Sequence, residues 1–320
     1  MAQLHLDPQV DGSRTVDSTT MARACLRMRA ECNDHGEHMD LHSILVSFFL
    51  HVYHAKVNQR NSAMMYIQEA IAGARVLRLD ERLFEEMDEI VSNKALVFPL
   101  IWVSERGYAL HLDLSPSYTE PLLISGMITN GNADINAQGL LELVKLFVAF
   151  DRISVRRKAR VGIIAATDLT DTEKRLSSLC FSMADHVSTR TADYYITREW
   201  MRTILWQEAL SMGLLSSSAY TSVMTFGFPA KVGHDLLQAL RRFCEADLLP
   251  LGRDQLLKCF EVANSLADTL LLASSGAASR LELGPQDFLH ALYQKILPFL
   301  DQDEMLKSIL RAKTAEALVI

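Results

Sequence analysis

An all-α fold, an irregular multi-helix bundle of roughly ten or more helices, is predicted for this 320-residue chain. Three observations carry it. The chain is 49% hydrophobic but holds only 14 Gly and 8 Pro, so core material is plentiful and turn formers are sparse. Apolar residues recur at spacings of three and four in one segment after another. No pair of alternating stretches separated by a hairpin turn occurs. The 13 Met and many Leu suit helical cores, and no fixed-period repeat marks a solenoid.

The elements follow in order. Residues 1–20, polar and rich in turn formers, read as a disordered N-terminal tail, and 21–320 as one helical domain. Over 39–57, "MDLHSILVSFFLHVYHAKV", Leu41, Leu45, Phe48, Phe49 and Val52 form one stripe. After "NQRN", Asn61 or Ser62 can cap a second helix, in which Met64, Ile67, Ala70, Ile71, Ala74 and Leu77 keep the period. The pair reads as an antiparallel hairpin, and the small residues Ala70, Gly73 and Ala74 would let a neighbouring helix come close. Residues 81–91 read as a short acidic helix with Glu85, Glu86, Asp88 and Glu89 facing water. A longer helix at 93–111 is expected to bend at Pro99, which lacks a backbone donor.

"DLSPSYTEP" and "ITNGNADINAQG" are loops around a short segment, and "LLELVKLFVAFDRI" is helical. Thr170, three residues before Glu173, suggests a capping box. Trp200, Ile204 and Leu205 keep a helical period, and Pro229 suits a first turn. "DQLLKCFEVANSLADTLLLA", "PQDFLHALYQKILPFL" and a segment from about 302 complete the series.

Composition excludes several functions. A formal charge of −7 speaks against a naked nucleic-acid surface, which needs clustered Lys and Arg. The local exception is "RISVRRKAR", with Arg152, Arg156, Arg157, Lys158 and Arg160. It reads as a solvated basic turn or helix end, with a nuclear import signal or phosphate contact as the alternatives. No apolar run reaches the ~18 residues of a membrane helix, and the N-terminus lacks a secretory pattern. An intracellular protein is expected. Cys25, Cys32, Cys180, Cys244 and Cys259 are odd in number and scattered, so reduced and mostly buried thiols are expected. The Cys25–Cys32 spacing occurs in binuclear zinc clusters, but the other four thiols of such a cluster are not nearby.

No phosphate loop, nucleophile elbow or H-E-x-x-H pair occurs. "DQDE" at 301–304 and the acidic run at 85–89 read as solvated surface rather than magnesium motifs. Five of ten His lie between 35 and 54. His38 and His42, near Glu37 and Asp40, can share one helix face, and His51 with His54 another. Zinc would need three or four converging groups, and ordinary surface or core-edge histidines are the expectation. No catalytic, cofactor-binding or metal-ligating residue is assigned, and the chain is expected not to be an enzyme. Glu105 and Arg106 stand side by side in the apolar 93–111 segment, before Gly107, Tyr108 and Leu110.

In order, these segments resemble the middle homology region of fungal zinc-cluster transcription factors, most nearly the amylolytic and maltose-activator branch. "SFFLHVYHAKVNQRNSAMMYIQEAIAGARVLRLD" is similar to that family's hairpin, with Glu69, Ala70, Ile71 and Ala74. "IWVSERGYALHLDLSP" resembles its aromatic-apolar helix followed by Glu-Arg-x-x-Ala-Leu and a loop ending in Pro. "YYITREWMRTILWQEAL" resembles a later segment through Tyr195, Trp200, Arg202 and Trp206. "FPAKVGHDLLQAL" and "FEVANSLADTLL" continue the likeness, which covers roughly residues 20–275. The family's six-cysteine DNA-reading cluster and its Arg-Arg-x-Phe-Trp helix entry have no counterpart in these residues.

The resemblance implies a helical regulatory domain over 21–320, a nuclear transcription regulator, and Glu105 and Arg106 as structural residues that tie a buried helix to its neighbours. It also implies control of a co-located fungal gene set, secondary-metabolite synthesis being favoured over carbohydrate use. DNA would be reached only indirectly, through a dimer or a complete zinc-cluster relative, or through a missing N-terminal domain. A helical adaptor and a metabolite-sensing protein are the alternatives.

Overall fold

The structure, a computed structural model, describes residues 17–32, 37, 39–81, 95–122, 135–159, 165–181, 189–272, 284–297 and 304–318. They form twelve α-helices, and no strand occurs among them. The fold class is all-α as the sequence predicts. The chain divides into two compact units, Met1–Gly162 and Ile163–Ile320, a boundary that no Pro- or Gly-rich linker announces.

The first unit holds α1 (Ser18–Glu31), α2 (Leu41–Lys56), α3 (Arg60–Val76), α4 (Val97–His111) and α5 (Ile135–Ala159), each packed against the next. Asp17 and Asp40 cap α1 and α2 by accepting from Thr20 N and Ser43 N, both at 2.7 Å. The α2–α3 hairpin forms as expected, but the inner stripe of α2 differs from the predicted one. It runs through Ile44, Ser47, Phe48, His51, His54 and Ala55, while Phe49 is 45% exposed. Hydrophobicity alone misplaces the stripe because buried histidines and a serine occupy it.

On α3, Ala63, Met64, Ile67, Ala70, Ile71, Gly73 and Ala74 are buried. The helix begins at Arg60 with no side-chain cap from Asn61 or Ser62. Pro99 does not bend α4. It lies in the first turn, where backbone N–H groups have no intrahelical acceptor and its missing donor costs nothing.

α2, α3, α4 and α7 (Thr189–Ser211) end alike, with a residue of positive φ just past the helix: Asn58, Arg78, Asp113 and Gly213. The N–H that follows bonds back to His54, Ala74, Ala109 or Ala209 at 2.8–2.9 Å. This closure satisfies the last carbonyls and reverses the chain.

The second unit holds α6 (Ala166–Ser178), α7, α8 (Phe228–Leu240), the single-turn α9 (Glu245–Leu248), α10 (Gly252–Leu272), α11 (Pro285–Ile296) and α12 (Glu304–Leu318). α7 packs on α6, α8, α9 and α10, and α10 also meets α8, α11 and α12. α6 starts earlier than the Thr170–Glu173 pattern suggests: Asp168 accepts from Ala165 N at 3.2 Å, and Thr170 instead bonds Ala166 O. Pro229 does occupy the first turn of α8. Trp102, Phe98 and Phe150 centre the first core, and Trp200, Tyr194 and Phe228 the second. The 1–16 tail, the acidic 82–94 stretch, the 123–134 loop and residues 301–303 lie outside the described residues.

Candidate functional site

The adjacent acid and base of α4 are both fully withdrawn from water, Glu105 at 0% and Arg106 at 2% exposure. They point to different partners. Asp113 turns the chain back at the end of α4, which brings Ser117 over the helix; its N–H donates to Glu105 Oε1 at 2.7 Å and its hydroxyl donates to the same oxygen. Arg106 donates from Nε to Asp151 of α5 at 2.5 Å, and from Nη1 to Glu105 at 3.3 Å. Its guanidinium lies 4.8 Å over the Trp102 ring. Burial pushes the Asp151 carboxyl above its ordinary range, with the Arg106 charge opposing. The pair therefore joins α4 to its own following loop and to α5.

The second unit repeats this device. Arg202 of α7 donates to Glu199 at 2.5 Å, to Asp235 of α8 at 2.8 Å and to Glu173 of α6 at 3.3 Å, so one guanidinium ties three helices. Burial works against its charge, but the carboxylates outweigh it and its pKa is raised. Glu199 also accepts from Arg198 at 2.8 Å, and complete burial raises its pKa despite both arginines. One helical turn away, Lys258 of α10 is buried against Trp200, 5.1 Å from the ring, and donates to Thr197 at 2.8 Å. Desolvation lowers the pKa of Lys258. Trp200 Nε1 donates to Glu261 at 2.5 Å.

A third tie joins the first three helices. Arg29 of α1 donates to Glu69 of α3 at 2.8 Å and to Ser47 of α2 at 2.6 Å, and Ser47 donates to Glu69 at 2.7 Å. In these clusters the acids are engaged by guanidinium, hydroxyl, indole or backbone N–H donors, most of them from a neighbouring helix or loop.

The histidine-rich segment separates into two environments. His42 is exposed and lies 3.5 Å from Asp40, and His38 lies outside the described residues. His51 and His54 face inward: His51 Nδ1 meets Ala63 O at 2.9 Å, and His54 stacks on Tyr66 and bonds Gln59. No group of three or more His, Cys, Asp or Glu is placed to hold a metal ion among the described residues. The expectation of mostly buried thiols is corrected. Cys32, Cys180 and Cys244 are exposed and Cys25 half-buried; only Cys259 is buried, its thiol pushed up to about 12 by desolvation. Cys32, Cys180 and Cys244 fall at helix ends, where thiols meet solvent, and Cys25 lies mid-way along α1. α5 runs to Ala159, so the backbone of the basic run is largely helical, but its side chains lie outside the description, Arg152 included.

An open groove of about 590 Å³ remains at the C-terminal end of α3, lined by Ala72, Arg75, Val76, Asp80, Glu81, Tyr118 and Glu120. Ser117 and Tyr118, positioned by Glu105, bring the 117–120 segment to it. Tyr118 is 7% exposed, packs edge-on against Phe98, and carries the Arg75 guanidinium 5.9 Å over its ring. Burial, with Asp80 and Glu120 adding, pushes its phenol up to about 12.

Of the residues singled out in the sequence, Glu105, Arg106, Trp200 and Arg202 fall in the buried clusters. The partners Asp151, Asp235 and Lys258 were missed, and Glu173 was read only as a capping-box acid. Their one sequence signal is a charge interrupting an apolar period, as in "LFVAFD" and "LLKCF".

The chain is 22% identical over 259 residues to a protein of Candida albicans (strain SC5314 / ATCC MYA-2876) named "Probable sucrose utilization protein". The match covers 78% of this chain and 50% of that relative, so the chain spans about half the length of the protein it resembles. No family model and no solved structure matches. No helix among the described residues is long and apolar enough to cross a membrane.

Proposed function

We propose that this chain is a regulator of transcription that works in the nucleus as a helical binding module and not as an enzyme. The observation that carries the reading is the 259-residue similarity to a protein named for sucrose utilization. It covers 78% of the chain, and the order of the chain's segments resembles a zinc-cluster factor's regulatory region. That name moves the weight from secondary-metabolite genes, which the sequence reading favoured, toward genes of carbohydrate use. Nothing in the comparison supports the metabolite-cluster emphasis.

The buried Arg106 and Arg202 clusters suit a module whose task is to hold a fixed surface. A charge of −7 makes direct capture of DNA phosphates unfavourable. DNA contact therefore comes through a protein partner, a second copy or a zinc-cluster relative, or through a zinc-cluster segment outside these residues. The test is transcript abundance across the genome after deletion of the gene, on sucrose, maltose and glucose, with the gene's own 5′ end mapped. Loss of a contiguous set of carbohydrate-use transcripts is expected. Unchanged transcripts on all three sugars would leave a helical adaptor as the reading.

A further inference from the structure

We propose that the connection between α7 and α8 is the contact face of a symmetric dimer of this chain. In that contact Tyr220 of each copy covers Leu210 and Phe226 of the other. The sequence sets the stretch apart. Between Glu208 and Lys231 it holds no Asp, Glu, Lys, Arg or His, the longest charge-free run in a chain that is 22% charged. Water-facing surface is normally about a quarter to a third charged, yet this run is not core. Leu210 and Phe226 are each 46% exposed, and Tyr220 is fully exposed at 107%.

The connection is held in place by its own bonds. Ser216 N donates to Met224 O at 2.9 Å and Ser218 N to Ser216 Oγ at 3.2 Å, which closes the 216–224 loop. Val223, 1% exposed, anchors it inward, and Trp206 Nε1 donates to Thr225 O at 3.0 Å. That bond brings Phe226 to the end of α7, where Leu210 stands one turn beyond Trp206. A Tyr on a fixed loop adds contact area at little ordering cost. Aromatic side chains with few charges are also the composition of interface centres.

Two observations select a second copy as the occupant. Each chain carries a charge of −7, so copies repel where charged surfaces meet and approach most easily through a face without charge. The patch also complements itself, because it holds both a projecting ring and an apolar shelf. A two-fold axis then makes the same contact twice. A lipid surface is the poorer fit, since the stretch offers no Lys or Arg to anionic headgroups. The inference stands without the regulator reading: its test reads mass, not transcripts.

Sedimentation equilibrium of the full chain is expected to show a monomer–dimer equilibrium at about 1–100 μM, tighter as salt screens the like charges. Tyr220→Arg and, separately, Phe226→Glu are each expected to weaken dimerisation about tenfold or more. Tyr220→Arg changes a fully exposed side chain and is expected to leave the unfolding midpoint unchanged, so it decides alone if Phe226→Glu lowers that midpoint. An equimolar mixture of the two variants is expected to regain dimer. One of its contacts sets the introduced arginine against the introduced glutamate, and the other keeps Tyr220 on Phe226. A wild-type chain that stays monomeric overturns the proposal, as does a dimer that Tyr220→Arg leaves intact. A mixture of two well-folded variants that stays monomeric overturns it too. If a monomeric chain instead co-sediments with phosphatidylcholine vesicles, and Tyr220→Arg abolishes this, the face belongs to a lipid surface and the proposal falls.

Discussion

Arg106 on α4 and Asp151 on α5 meet at 2.5 Å between Nε and Oδ1, with both side chains inside the first unit. Glu105, the neighbour of Arg106 in sequence, is held chiefly by Ser117 and only at 3.3 Å by Arg106, so the shorter contact of the guanidinium goes to Asp151. Two adjacent charges thus serve two different contacts.

Removing one member of such a pair leaves the other buried and uncompensated. Arg106→Met is expected to cost about 3–5 kcal/mol by urea unfolding. Arg106→Met with Asp151→Leu should recover at least half of that loss, because no bare carboxylate remains on α5. Equal stabilities for the single and double variants would show that the pair does not couple the helices.

Lys258 gives a pH-dependent test. Burial holds its pKa below the ordinary 10.5, so the folded protein sheds this proton more readily than the unfolded chain does. The unfolded state binds more protons between the lowered value and 10.5, and stability from this group rises with pH through that window. Lys258→Met is therefore expected to be neutral or stabilising at pH 7, with an advantage over wild type that shrinks as pH approaches 10.5. An advantage that grows with pH in paired urea titrations would refute this.

Two helical glycines should respond differently to alanine. A Cβ on Gly107 would sit 3.4 Å from Phe147, an ordinary contact, so Gly107→Ala should gain up to about 1 kcal/mol of helix propensity. A Cβ on Gly73 would come within 2.8 Å of Met39 and 3.1 Å of Ile44 Cγ1, and Ile44 is packed between α2 and α3. The clash offsets the helix gain for Gly73→Ala, and Gly73→Val should cost about 2–3 kcal/mol. Thermal unfolding of the three variants checks the order.

The helices were legible because their apolar spacing is local information. Ala70, Gly73 and Ala74 announced a close approach in the sequence, and the structure buries all three, with Gly73 set against Ile44 of α2. Pro99 misled because a missing N–H breaks a helix only after the first turn. The stripe of α2 misled because His51 and His54 count as polar in a sequence but fit a core when Ala63 O, Gln59 and aromatic rings receive them.

What the sequence by itself determined is the all-α class, the α2–α3 hairpin and the presence of an acid and base inside an apolar helix. These follow from residue type and spacing along one chain segment. Only the tertiary structure decided which charges are buried together. Arg106 finds Asp151 45 positions away and Arg202 finds Asp235 33 away. Spacing along one helix says nothing about which residue a neighbouring helix presents across the contact. The groove by Tyr118 has the same origin. It exists because the chain after α4 turns back onto Glu105, and that return places residues 117–120 beside the end of α3.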